Sequence, residues 1–240
     1  MPESDQHDAG PGLLNSLQAK QEATDAEKRA VLTALARKTF LSPVTRDFCD
    51  HVWVQDPNTQ RILRYEKWKH LVTMADMLMR HRLVIIGKDR QVGVSETIAA
   101  YVLWTAMKGN AVIPLLSQGG VESQKLLGKV KFIHANLPPY LQLPFEGDWG
   151  MERVRFKNGS SIEAYPSTEK AGRSITGTLV VFDEADFHEY LAQNYNAIKP
   201  TIDMGGQLVM ISTINPDTVE SIFKTLLKGA RDYAPERVAA

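Results

Sequence analysis

From residue 83 onward, short apolar runs alternate with longer amphipathic stretches. Runs at 83–87, 111–116, 179–182 and 208–212 are followed by helical patterns at 97–107, 121–135, 190–198 and 218–228. A strand that is apolar on both faces must be covered on both faces. This alternation therefore predicts an α/β fold with a mostly parallel central sheet flanked by helices. Between the second and third units, residues 154–163 alternate in polarity around Asn158-Gly159, which predicts a β-hairpin. Upstream the pattern is different. Residues 1–11 have nothing apolar to bury, and 13–39 are rich in Ala, Leu, Lys and Glu with a modest stripe at Leu32, Leu35 and Ala36. Residues 41–60 read as irregular, with a turn at Asp56-Pro57-Asn58, and 65–80 as a helix. The expected division is a tail with a helical N-terminal extension over 1–60 and one α/β domain over 61–240.

Charge and cysteine content narrow the chemistry. Lys+Arg and Asp+Glu both number 28, so the chain has no net field to attract a polyanion, and any nucleic-acid contact must be local or transient. The single cysteine, Cys49, excludes an internal disulfide and reads as a half-buried structural thiol. No run of about 18 apolar residues offers a membrane span, and the polar, acidic first dozen residues do not resemble a signal peptide. The reading is a cytosolic protein.

The first apolar run ends in Gly87-Lys88-Asp89-Arg90-Gln91-Val92-Gly93-Val94-Ser95, followed by a helical pattern. A buried strand, a polar turn and a helix N-terminus are the parts of a phosphate loop, because free N–H groups and the helix dipole attract anions there. The general signature G-x-x-x-x-G-K-[ST] is only half met. Gly93 and Ser95 fit, Val94 stands where a lysine belongs, and Gly87 is one residue too distant. An ammonium need only reach the terminal phosphates, whatever position it comes from. Lys88 could do so from the front of the loop, with Arg90 adding charge. A solvated turn shaped by Gly93 would contain the same residues.

The third apolar run is more specific: Thr178-Leu179-Val180-Val181-Phe182-Asp183-Glu184-Ala185-Asp186. It delivers two adjacent carboxylates to the C-terminal edge of a strand, where α/β proteins place their ligands. Asp183 is suited to hold Mg²⁺ and Glu184 to orient and deprotonate a water. The fourth run ends in Ser212-Thr213-Ile214-Asn215-Pro216. Hydroxyls at that edge could sense a phosphate, or could simply cap the turn before a helix at 218.

With these segments aligned, residues 65–228 resemble the ATPase domain of the large terminase subunit of tailed bacteriophages. Arg90-Gln91-Val92-Gly93-Val94-Ser95 is similar to the phosphate loop of that family, and Lys88 stands where its lambda-like branch carries a displaced lysine. The resemblance implies a P-loop NTPase fold of the RecA-like, ASCE kind, with ATP and Mg²⁺ as ligands. It gives Ser95 and Asp183 the metal, Glu184 the catalytic carboxylate, and Ser212-Thr213 the coupling of hydrolysis to DNA movement. Arg173, within Lys170-Ala171-Gly172-Arg173-Ser174, corresponds to the arginine finger that completes a neighbouring subunit's site. Tyr65 and Trp68 fall in the adenine-contacting segment, although the glutamine often found there is absent. Implied partners are double-stranded DNA, a portal protein and a small terminase subunit. The implied setting is a homo-oligomeric ring on the procapsid, in the cytoplasm of the infected bacterial host. No acidic cluster beyond residue 220 could form the nuclease that follows the motor in that family.

Two other readings use the same residues. Asp183-Glu184-Ala185-Asp186 spells a helicase signature, but a helicase has a second motor domain and a standard loop lysine. A degenerate nucleotide-binding scaffold without turnover would explain Val94 but not the intact Asp183-Glu184 pair.

Overall fold

The computed structural model describes residues 40–41, 47–90 and 92–233, the side chains of residues 173–174, 201 and 230–233 excepted. Most of the expected 1–60 extension, including the helices at 13–39, lies outside the described residues. The described part of that stretch is ordered into the domain. A short 3-10 helix, Phe48–His51, is closed by a capping box in which the Asp47 carboxylate accepts from the Cys49 amide and Asp50 reaches back to the Asp47 amide. Strands β1 (Trp53–Gln55) and β2 (Ile62–Arg64) follow as an antiparallel hairpin. Residues 41–60 were expected to be irregular, and a domain boundary was expected at 60. The hairpin straddles that boundary, and Phe40, Phe48, Cys49 and Val52 are buried in the main core. The missed signal was Asp47-Phe48-Cys49-Asp50, an N-cap acid with a second acid three residues on.

The central sheet has six strands: β3 (Leu83–Gly87), β4 (Val112–Ser117), β5 (Arg153–Arg155), β6 (Ser161–Pro166), β7 (Leu179–Asp183) and β8 (Gln207–Ser212), in the order β3-β8-β7-β4-β6-β5. All neighbouring pairs are parallel except the edge pair β5–β6. That pair is the expected hairpin, closed by a three-residue loop. The Phe156 amide donates to Ser160 O and the Gly159 amide to Phe156 O, and Gly159 alone takes a positive φ of 82°. This is a type I turn closed by a left-handed glycine.

Helices α1 (Lys69–Arg80), α2 (Val94–Met107), α3 (Gly120–Asn136), α4 (Leu191–Asp203) and α5 (Ile222–Tyr233) supply the cover. The helix expected from residue 65 starts only at Lys69, because Tyr65–Trp68 is not helical and Trp68 is the N-cap at ψ 145°. The helix expected from 218 likewise starts at Ile222. Side chains alternate between faces along the sheet. Leu179, Val181, Val209 and Ile211 join the core beneath α2, while Val180, Phe182, Leu208 and Met210 pack with Leu191, Ile198 and Phe223 on the other side. α2 is buried nearly all round, as its uniformly apolar sequence requires. Among the described residues, no helix is long and apolar enough to cross a membrane.

The order of the first three strands sets up the site. β8 is last in sequence but lies between β3 and β7, with Gly87 beside Ser212 and Asp183 beside Ile211. The loops after all three strands therefore leave from one edge of the sheet.

Candidate active site

The loop after β3 is pinned at both ends. The Lys88 amide donates to Ser212 O at 2.9 Å, extending the β3–β8 ladder one step past the strand. At the far end Gly93 is the N-cap of α2 in a left-handed conformation, φ 75°, which a side chain would strain. Among the described residues no side chain caps α2, and the first amides of such a helix suit an anionic acceptor. Tyr65 is buried, and its hydroxyl lies 2.6 Å from Thr97 Oγ1, which donates to Gly93 O at 2.9 Å. The geometry gives Tyr65 a bracing role under Gly93. Trp68 lies on the surface at 46% exposure, its Nε1 donating to Glu66, and a Cβ on Gly93 would stand 3.6 Å from its ring. The partly exposed Trp68 ring thus stands beside the loop. His70 Nε2 bonds Val92 O at 2.9 Å, a loop contact with no signal in the sequence.

Within the loop, Val94 is buried at 5% exposure, Val92 and Ser95 are half-buried, and Asp89 and Arg90 are exposed. Gln91 lies outside the described residues. Lys88 does not point to solvent: its side chain is 8% exposed, and Nζ donates to Glu184 Oε1 at 2.7 Å.

Glu184 sits on the turn from β7 into a 3-10 helix, Ala185–Phe187, with φ 50° and ψ 48°. A non-glycine residue held left-handed stores strain, and such strain is concentrated at functional sites. The side chain is fixed by three charge-assisted contacts: Lys88, the Thr213 amide at 3.1 Å and the Thr213 hydroxyl at 3.2 Å. Burial pushes the Glu184 carboxyl up, but Lys88 and Thr213 outweigh it and hold the group below the usual range. Ser212 Oγ is 3.5 Å from the same carboxylate, yet its one proton goes to Thr213 O at 2.6 Å, so it contributes no bond there.

Asp183 has a different environment. Burial, then the adjacent Glu184 charge, pushes its carboxyl up to about 6, with Lys88 and Lys129 opposing. Its Oδ1 accepts the Glu184 amide at 3.1 Å, and its main-chain carbonyl accepts from Ser117 Oγ at 3.3 Å and His188 Nε2 at 2.8 Å. A buried carboxyl raised in this way is suited to a cation. Lys129, on α3, pairs with Glu96 at 2.7 Å beside Ser95. Neither Lys129 nor His188 carried a motif that could have marked it.

Arg173 is in the 3-10 turn Ala171–Ser174, which packs against α4 through the Gly172 amide and Asn194 Oδ1 at 2.8 Å. The Arg173 side chain lies outside the described residues.

No protein-family model matches the chain. Its fold is similar to that of phage large terminase ATPase domains. The large terminase ATPase domain of Thermus phage P74-26 aligns with a TM-score of 0.54 at 17% identity, over 68% of this chain and 70% of that one. A mutant of the same domain gives 0.55. The HK97 bacteriophage large terminase gives 0.60 at 11% identity, over 80% of this chain and 42% of the HK97 protein. Likeness at these identities establishes the α/β architecture, a mostly parallel sheet flanked by helices, and nothing finer.

Proposed function

We propose that this chain is the ATP-hydrolysing motor domain of a large terminase subunit, driving double-stranded DNA into a viral procapsid. The observation that carries the reading is the convergence of Lys88 and Thr213, each from a different strand-end loop, on the carboxylate of Glu184 at the end of a third strand. A strained acid, an ammonium and a hydroxyl at the mouth of an uncapped helix are the parts that phosphoryl transfer requires.

ATP would place its phosphates against the free amides of α2, with its base near the Trp68 ring. Ser95 and Asp183 would hold Mg²⁺, which would neutralise charge on the phosphates. Lys88, displaced in sequence from the usual position, takes the γ-phosphate oxygens in exchange for Glu184. The freed Glu184 carboxylate orients a water and accepts its proton as the water oxygen attacks phosphorus. The bond to the bridging oxygen breaks, and the electron pair leaves on ADP. Thr213, bonded to the same carboxylate, loses or keeps its partner as Glu184 moves, which couples the nucleotide state to the segment after β8. Arg173 of a neighbouring copy completes the site in a homo-oligomeric ring. The ring would work with a portal protein and a small terminase subunit in the cytoplasm of the infected bacterium.

Phosphate release by the purified chain, with and without double-stranded DNA, tests this reading. Mg²⁺-dependent turnover is expected. ATP binding with no turnover under any condition would instead support a nucleotide-binding scaffold.

A further inference from the structure

Asp186 plays no part in the chemistry above, yet its side chain is completely buried. The carboxylate gathers one short stretch of chain. It accepts the Asn215 amide at 2.7 Å and the Ser221 hydroxyl, and the Lys224 ammonium stands 3.6 Å away. Lys224 also donates to the carbonyls of Asn215, at 2.7 Å, and Thr218. Asn215 Nδ2 reaches Thr218 Oγ1 at 3.1 Å. Residues 215–224 are thus a knot closed on one acid. Apolar packing does not hold its outer part, since Ile214 is 50% exposed and Val219 92%.

The knot is joined to the nucleotide site on two sides. The Asp186 amide donates to Ser212 Oγ at 3.0 Å, fastening the acidic turn to the end of β8. α5 begins at the knot and leans on the end of β3, where a Cβ on Gly87 would stand 3.0 Å from Leu227 Cδ2. α5 therefore touches the residue before Lys88 and is tied to the residue two after Glu184. Removing one partner of a buried charge leaves the other uncompensated, so pulling this junction apart at Asp186 is costly.

We propose that Asp186 is a positioning residue that makes the 215–224 knot and α5 move as one body with the acidic turn, so that release of Glu184 from Lys88 on nucleotide binding is delivered to α5. The proposal rests on the ATPase reading above. It places the mechanical output of the site on α5.

The test is hydrogen exchange of the α5 amides in the full chain, with and without a non-hydrolysable ATP analogue and Mg²⁺, alongside steady-state ATP turnover. In the wild type, exchange in α5 should change by about tenfold on analogue binding, the scale of a local opening equilibrium being shifted. Asp186→Asn should leave KM for ATP near wild type, lower kcat, and abolish the response of α5 to the analogue. Ser221→Ala, which keeps the carboxylate, should give a partial response. A merely structural Asp186 would raise α5 exchange equally in both states and preserve the difference; that result overturns the proposal. If Asp186→Asn does not fold, Ser221→Ala and Lys224→Met carry the test, and a full-sized response in both overturns it equally. A wild type that hydrolyses ATP with α5 unresponsive refutes this proposal alone. A wild type that binds no nucleotide refutes the ATPase reading with it.

Discussion

Lys88 and Glu184 are 96 positions apart in the chain and meet ammonium to carboxylate at 2.7 Å. Because Lys88 is 8% exposed and Glu184 31%, this contact is more consequential than a surface ion pair, whose net worth is about 0–1 kcal/mol. In the proposed mechanism these two groups hold one another until a phosphate competes for the lysine.

Glu184→Gln should keep nucleotide binding and lose turnover by about 10²-fold or more, the scale of general-base effects. The amide still accepts from the Thr213 amide, so the turn should persist. ATP hydrolysis at the wild-type rate would remove Glu184 from the mechanism.

Lys88→Ala should weaken ATP binding and lower hydrolysis by about 10³-fold, whereas Arg90→Ala, at an exposed position, should change either much less. The reverse ranking would hand the γ-phosphate to Arg90. Restoring the general motif should not help. Val94 is 5% exposed, and an ammonium there would be buried, so Val94→Lys should lower the melting temperature and should not raise activity.

If Arg173 acts across a subunit boundary, Arg173→Ala should fold, bind ATP and fail to hydrolyse it. Mixing it with Glu184→Gln should restore part of the activity through interfaces that pair one intact glutamate with one intact arginine. Absence of rescue in demonstrably mixed assemblies would leave Arg173 a local role.

Burial pushes the His188 imidazole down to about 4, against an ordinary value of about 6.5. Between those values the unfolded chain binds a proton that the folded chain refuses, so His188 removes stability as pH falls through that window. Asp183, raised to about 6, has the opposite slope over part of the same range. The comparison of His188→Gln with wild type isolates the histidine. Their stability difference, from chemical denaturation, should shift toward the variant by on the order of 3 kcal/mol between about pH 7 and pH 4. A pH-independent difference would mean that His188 is not buried as a neutral ring.

Much of the architecture was legible in local pattern, because a strand buried on both faces must be apolar throughout. The runs at 83–87 and 208–212 match observed strands to within a residue, and the hairpin expected over 154–163 is found over 153–166. Glu184, Asp183, Thr213 and Gly93 were legible because their residue types stand at strand ends or a helix start. Other features depend on contacts remote in sequence. Nothing in the chain says that β8 inserts between β3 and β7, and only that order brings Thr213 to Glu184. Tyr65 resembled a ligand contact, and its place beneath Gly93 follows from its hydroxyl meeting Thr97 on α2. Lys129, His188 and Asp186 acquire their roles from partners brought near by the fold, since burial and charge pairing are properties of three-dimensional neighbours. The sequence by itself determined the strand-and-helix alternation and the acids at the sheet edge. The tertiary structure decided which cation faces Glu184, because that choice depends on the reach of a side chain across a strand inserted from the far end of the domain.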